Sequence, residues 1–148
     1  MTDLFRDAEL GQCINQEDAV IMSFAPGGAI TKGAPVKFSD KSVWPPEVVA
    51  AGNGERCIGI ALKAATGAGV PEAIPVAVDN ALVKVTFGAA MACGVALKVG
   101  TAPKFVAALA ADDNIECGIL MQKTGADGDT GIMLFKANFE AVSYTHLR

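Results

Sequence analysis

The sequence predicts a mainly β protein: a small barrel or sandwich of short antiparallel strands, with one or two short helices, pseudo-repeated halves and an extended N-terminal arm. Three observations predict it. First, 16 glycines and 7 prolines in 148 residues leave little room for long uninterrupted helices. Second, beyond Asp18 the chain runs in short β-like stretches broken by Gly, Pro, Asn or Asp. Third, the chain echoes itself 58 to 61 residues later. Gly28-Ala-Ile-Thr-Lys-Gly-Ala-Pro-Val-Lys37 returns as Ala89-Ala-Met-Ala-Cys-Gly-Val-Ala-Leu-Lys98. Ile30 thereby matches Met91, Gly33 matches Gly94, Val36 matches Leu97 and Lys37 matches Lys98. Cys57-Ile-Gly-Ile60 returns as Cys117-Gly-Ile119, Gly67-Ala-Gly69 as Gly125-Ala-Asp-Gly128, and Ile74-x-Val76 as Ile132-x-Leu134. Turn glycines and strand-core positions recur, which is the pattern of a scaffold.

Residues 1–17 are polar, mixed in charge and without clear period, and read as an arm with Leu4, Phe5, Leu10 and Ile14 as anchors. A frayed terminus is the commoner alternative for such a segment. The domain proper is one unit over 18–140. Ala19 to Phe24 makes a strand that ends at the turn Pro26-Gly27-Gly28. Pro35 to Phe38 makes the next, followed by a loop over Ser39 to Pro46. In that loop Trp44, beside two prolines, is either an exposed aromatic anchor or a plug under the loop.

Ile74-Pro-Val-Ala-Val78, Asp79-Asn80 and Ala81 to Phe87 read as a hairpin, because both arms alternate apolar residues and the turn pair tolerates positive φ. Pro75 has no N–H for a ladder, so its strand belongs at an edge or bulge. Ala89 to Cys93, stopped by Gly94, and the alanine-rich stretch Lys104 to Ala111 are the two helix candidates. The tail 141–148 departs from the rest. It holds the chain's only Tyr and only His and resembles translated read-through of a sequencing adapter, so no chemistry is rested on His146.

Composition excludes several functions. The net charge is −4 and the 12 basic residues are scattered singly, which gives no face for nucleic acid. The longest apolar stretch, Phe87 to Leu97, falls well short of the ~20 residues that span a bilayer. The charged N-terminus lacks a signal peptide's apolar core, so synthesis in a reducing cytoplasm and free thiols at Cys13, Cys57, Cys93 and Cys117 are expected. Without a C-x-x-C pair, and with one His, neither a zinc site nor a His-based nucleophile system is expected.

Ser39-Asp40-Lys41-Ser42 reads as a polar loop rather than a lipoyl-bearing hairpin tip. Asp127-Gly128-Asp129 reads as a tight turn rather than a calcium loop, whose ligand spacing it lacks. The glycine-rich Gly52-Asn53-Gly54 and Gly67-Ala68-Gly69 have no Lys-Ser/Thr of a phosphate-binding loop. No catalytic residue, metal or cofactor is expected. An enzymatic or ligand-binding barrel would need carboxylates such as Glu55, Glu72, Asp79 and Glu116 to converge in one cleft.

Ala25-Pro-Gly-Gly-Ala-Ile-Thr-Lys-Gly-Ala-Pro-Val-Lys37 followed by Cys57-Ile-Gly-Ile-Ala-Leu62 resembles the capsid cement, or head decoration, proteins of tailed bacteriophages. Val83 to Ala89 and Met91 to Lys98 fit the hairpin and short-helix elements of that pattern. Gly118-Ile119, the turn Gly125 to Gly128 and Ile132-Met-Leu134 fit its closing strands. The resemblance covers Asp18 to Phe135. The Val43 to Gly54 insert and the Lys104 to Ala111 segment depart from it.

The resemblance implies a structural virion protein on the capsid exterior. It implies a major capsid protein as partner, a homotrimer at three-fold or quasi-three-fold positions, and stabilisation of the shell against packaged DNA. Other β-rich virion modules, a head fibre base or a tail component, are the alternative. The arm, with the two stretches that break the echo most (Val43 to Gly54 and Thr101 to Asp113), is expected to carry partner contacts.

Overall fold

The computed structural model describes residues 8–39, 44–101, 103–109 and 115–136. Ten strands are seen among them, and they form two five-stranded units. The first is a closed barrel of β1 (Val20–Pro26), β2 (Pro35–Phe38), β3 (Glu47–Ala50), β4 (Gly59–Ala61) and β5 (Ile74–Asp79), in the order β1-β3-β2-β4-β5. Its pairs are antiparallel except β1 with β3, which run parallel.

The second unit holds β6 (Ala81–Thr86), β7 (Ala96–Val99), β8 (Phe105–Ala107), β9 (Gly118–Leu120) and β10 (Thr130–Phe135), in the order β6-β10-β9-β7-β8. This sheet curls until its edges meet in a parallel bridge between Phe87 and Phe105. There the Gly88 N–H donates to the Phe105 carbonyl at 2.9 Å, as the Gly27 N–H donates to Val48 at 2.7 Å in the first barrel.

The two units repeat one topology in one register. Val36 opposes Ala50 and Gly59 in the first unit, as Leu97 opposes Ala107 and Gly118 in the second. Ile30 bridges Ala65 as Met91 bridges Thr124. Gly33 and Gly94 both take positive φ, 86° and 89°, and donate to Ala61 and Leu120 at 2.7 and 2.8 Å. Gly69 and Gly128, at 72° and 93°, donate to Pro26 and Phe87, each at 2.8 Å. These are left-handed turns that side chains adopt only with strain, which is why glycine recurs there.

The register also corrects two details of the echo. Cys117 occupies the position of Ile58, since each donates its N–H to the β2 or β7 carbonyl (Val36 or Leu97). Met133 occupies the position of Val76: each opposes the last residue of its partner strand, Leu120 or Ala61.

The structure overturns two local expectations, the hairpin and the helices, and decides a third, the place of Pro75. β5 and β6 do not form a hairpin: β5 pairs with β1 and β4, β6 pairs with β10, and Asn80 (φ 52°) is the crossover between units. Alternation and turn chemistry told of two half-buried strands and a sharp corner, but not of which partner each would find. Pro75 lies on no edge, but its strand does carry a bulge, since Val78 is the extra residue between the Val20–Asp79 and Ile21–Ala77 pairs. β5 is flanked on both sides, and Pro75 falls where the β4 ladder has ended, its carbonyl accepting from Leu62 at 2.9 Å.

Neither helix candidate forms a helix among the described residues. Met91 is held by backbone bonds to Thr124 in both directions, and Phe105–Ala107 is β8, antiparallel to β7. Runs this short cannot meet the cost of helix nucleation when strand partners lie beside them.

Two apolar clusters fill the body. One is the first barrel's interior, around Phe24, Val36, Val48, Ile74 and Val76. In the second interior, register-equivalent positions trade volume. Phe105, Leu97, Leu120 and Met133 enlarge Val48, Val36, Ala61 and Val76, while Val85 and Gly131 shrink Phe24 and Ile74. Volume-conserving exchange of this kind keeps one fold on two side-chain sets. The second cluster extends past its own interior to Cys13 of the N-terminal segment and to Ala51, Cys57, Ile60 and Ala77 of the first unit, so it also cements the two units together.

Candidate interaction surface

At one end of the first barrel, β1, β2 and β5 open into an apolar mouth of about 570 Å³. Its lining includes Val20, Met22, Phe38, Trp44, Ile58 and Val78. β1 supplies Val20 and Met22 because its first four residues are exposed on both faces, and a register shift between Val20 and Ile21 turns the strand there. Phe38 ends β2 and packs edge-on against Phe24, ring centroids 5.8 Å apart and planes at 79°. Met22 and Phe38 are each 50% exposed and Trp44 is 87% exposed. Contiguous exposed apolar side chains of this size mark an interaction surface.

The sequence-predicted residues fall in different places. Trp44 is the exposed aromatic at the rim of the mouth and is not a plug under the loop. Leu10 is exposed, Ile14 is half-buried, and Leu4 and Phe5 lie outside the described residues, as does the tail 141–148.

Around Leu10 and Ile14 the chain lies back along β6. The Gly11 N–H donates to Lys84 at 2.7 Å, the Ile14 N–H to Leu82 at 2.8 Å, and the Lys84 N–H to Gln12 at 3.2 Å. Gly11 (φ 79°) is needed here, because a Cβ would meet the Lys32 Cγ at 2.5 Å and the Gly33 nitrogen at 2.9 Å. Sequence reasoning missed Val20, Met22 and Phe38. A signal was present: Val20-Ile21-Met22 puts large apolar residues on both faces of a strand that covers a core with only one.

Polar side chains serve the turns. Asp129 Oδ2 accepts from the Gly125 and Ala126 N–H groups at 2.8 and 3.0 Å, and Asp127 pairs with Lys104 at 2.8 Å. The acidic run is therefore the tight turn read from the sequence. Glu55 takes the Gly52 N–H at 2.6 Å and the Lys37 ammonium, and that charged hydrogen bond, first among the causes, holds its carboxyl below the usual range.

Cys13, Cys57 and Cys117 are buried and Cys93 is exposed. The thiol of Cys117 is raised well above its ordinary value, first by its hydrogen bond with Cys57 and then by burial. Among the described residues no group of three or more His, Cys, Asp or Glu side chains is placed to hold a metal. No helix among them is long and apolar enough to cross a membrane.

The chain is thus a tandem of two small β-barrel units with an apolar mouth at one end. Its fold is similar to that of the N base of head fibre gp8.5 from bacteriophage phi29. That solved structure matches 79% of this chain and 93% of its own at a TM-score of 0.63, with 13% sequence identity. No family model and no curated protein matches the sequence.

Proposed function

We propose that this protein is a structural component of a tailed-phage virion that sits on the outside of the head and binds the major capsid protein. The observation that carries the reading is the fold shared with the phi29 head fibre base over nearly the whole of that chain. The sequence motifs read independently toward phage head decoration. The surface agrees with it: an apolar mouth rimmed by Trp44 is built for protein contact, and Trp is the residue most enriched where binding energy concentrates.

In this reading the protein assembles as a homotrimer at three-fold or quasi-three-fold positions. Many weak contacts per copy, multiplied over the shell, stiffen it against the pressure of packaged DNA. The second reading is a head fibre base, in which the same body anchors a projecting fibre. The phi29 neighbour, itself a head fibre base, favours that variant.

The test mixes purified protein with heads assembled from the major capsid protein of the same genome, followed by sedimentation and electron microscopy. Co-sedimentation at saturable stoichiometry, density on three-fold positions, and heads that resist heat or chelator better when decorated are the expected results. Folded protein that leaves these heads bare overturns the proposal. Binding without any gain in resistance favours the fibre-base variant.

A further inference from the structure

The contact between the two units uses two surfaces, and the duplication presents each of them a second time. In the second unit the mouth equivalent to the one described above is made by Ala81, Val83, Val99, Cys117 and Phe135, at the register positions of Val20, Met22, Phe38, Ile58 and Val78. All five are buried, whereas Val20, Met22 and Phe38 are 46–50% exposed. They are sealed by the first unit. Ala51, Cys57, Ile60 and Ala77, on the outer side of its barrel wall, join the same apolar cluster, with Leu62 packed at its border and Cys13 from the N-terminal segment.

The outer wall of the second unit repeats the strand positions of this plug, with Ala108 where Ala51 stands and, at its border, Glu116 where Cys57 stands. Ile119 stands where Ile60 stands, Met121 where Leu62 stands and Leu134 where Ala77 stands. Ile60 and Ala77 are fully buried, yet Ile119 is 39% exposed, Met121 is 47% exposed and Leu134 is half-buried. One end of the molecule therefore shows an open mouth, and another face shows an uncovered plug. Inside the chain, surfaces at these same register positions already bind each other.

We propose that copies of this protein associate head to tail, the Ile119–Met121–Leu134 face of one copy seating in the Val20–Met22–Phe38–Trp44 mouth of the next. The sizes agree. The plug that closes the inner mouth ends in Ala77, and the outer plug offers the larger Leu134 and Met121 to a mouth that has about 570 Å³ to fill. The contact is heterologous, because each copy gives a different surface, so it closes into a ring or runs on as a fibre according to the rotation between copies. A ring of three would place six barrel units in one repeated contact. This takes up the self-association in the reading above and names its surfaces, but it does not depend on capsid binding.

The test uses Met22→Asp, which spoils the mouth, and Ile119→Asp, which spoils the plug, both at exposed positions. Light scattering on size-exclusion fractions should find wild-type protein as an oligomer and each variant alone as a monomer. An equimolar mixture of the two should give a dimer, because one good mouth and one good plug remain and neither copy can propagate. Circular dichroism checks the fold, and Met22→Ser with Ile119→Ser replaces any variant that loses its β spectrum.

A monomeric wild type at sub-millimolar concentration overturns the inference, as do variants that keep the wild-type mass or a mixture that stays monomeric. Capsid sedimentation of the same samples keeps the outcomes apart. Wild-type protein that decorates heads while remaining monomeric in solution, and unaffected by either substitution, refutes this contact and leaves the capsid reading standing.

Discussion

A neighbouring thiol and burial push the Cys117 thiol well above its ordinary value. Its thiol is buried against Cys57 and its S–H meets the Leu97 carbonyl at 3.5 Å, so the neutral form is strongly preferred. A thiol whose value is raised on folding contributes stability that is whole below its unfolded value and is lost as pH rises. Unfolding midpoints should therefore fall as pH climbs above about 8.5, the ordinary thiol value. Cys117→Ala should flatten that alkaline limb. A limb of unchanged slope in the variant would assign the loss to other groups. Trp44 shows the converse at the same scale. Its neighbourhood of Pro45 and Pro46 in a loop was legible, but its exposure was decided by where β1 and β2 end.

Among the elements, the segment over residues 8–15 is the least predictable from its letters. It has no period and reads as an arm, yet it runs along β6 and fills part of that strand's outer edge. Asn15 locks its end. The Asn15 Oδ1 accepts the Leu82 N–H at 2.8 Å, and the Asn15 Nδ2 donates to the Asn80 carbonyl at 2.9 Å, tying the segment to the crossover between units. Asn15→Ala removes both bonds and leaves a backbone donor in a half-buried setting. It should cost about 1–3 kcal/mol in urea unfolding and speed amide exchange at Leu82, whereas no change at Leu82 would place that proton elsewhere.

β3 and β8 teach the opposite lesson. Their stretches read as an insert and a helix because neither falls within the echo at 58 to 61 residues. Val49-Ala50-Ala51 and Val106-Ala107-Ala108 repeat in plain letters, but 57 residues apart, since the loop before β8 is shorter than the loop before β3. A change in loop length shifts the spacing without changing the ladder, and a fixed-period search passes over it.

For the whole molecule, the duplication makes a sharp comparison available. Ile60 and Ile119 hold the same register position, but only Ile60 lies between the units, fully buried in the cluster they share. Ile60→Ala should destabilise the monomer by about 2–5 kcal/mol, the usual cost of truncating a core isoleucine. Ile119→Ala should change it by about 0.5 kcal/mol or less in the monomer, while weakening association between copies. Equal losses at both positions would mean that the second unit's outer wall is already covered within one chain. The shared cluster also implies that both units unfold in one transition, because neither keeps its apolar surface covered without the other.

By itself the sequence determined the β class, the doubled scaffold and the turn glycines. These follow from local chemistry: alternation, short runs, and φ values that favour glycine, such as those at Gly33 and Gly94.

Only the tertiary structure decided which strands pair, that β5 and β6 part company at Asn80, and that one mouth is sealed while its duplicate stays open. The physical reason is that strand pairing and burial are contacts between residues far apart in the chain. Two copies of one local pattern carry the same letters whether or not a neighbour covers them. The sequence could say twice that a barrel forms, but not which of the two would be left with its apolar end facing outward.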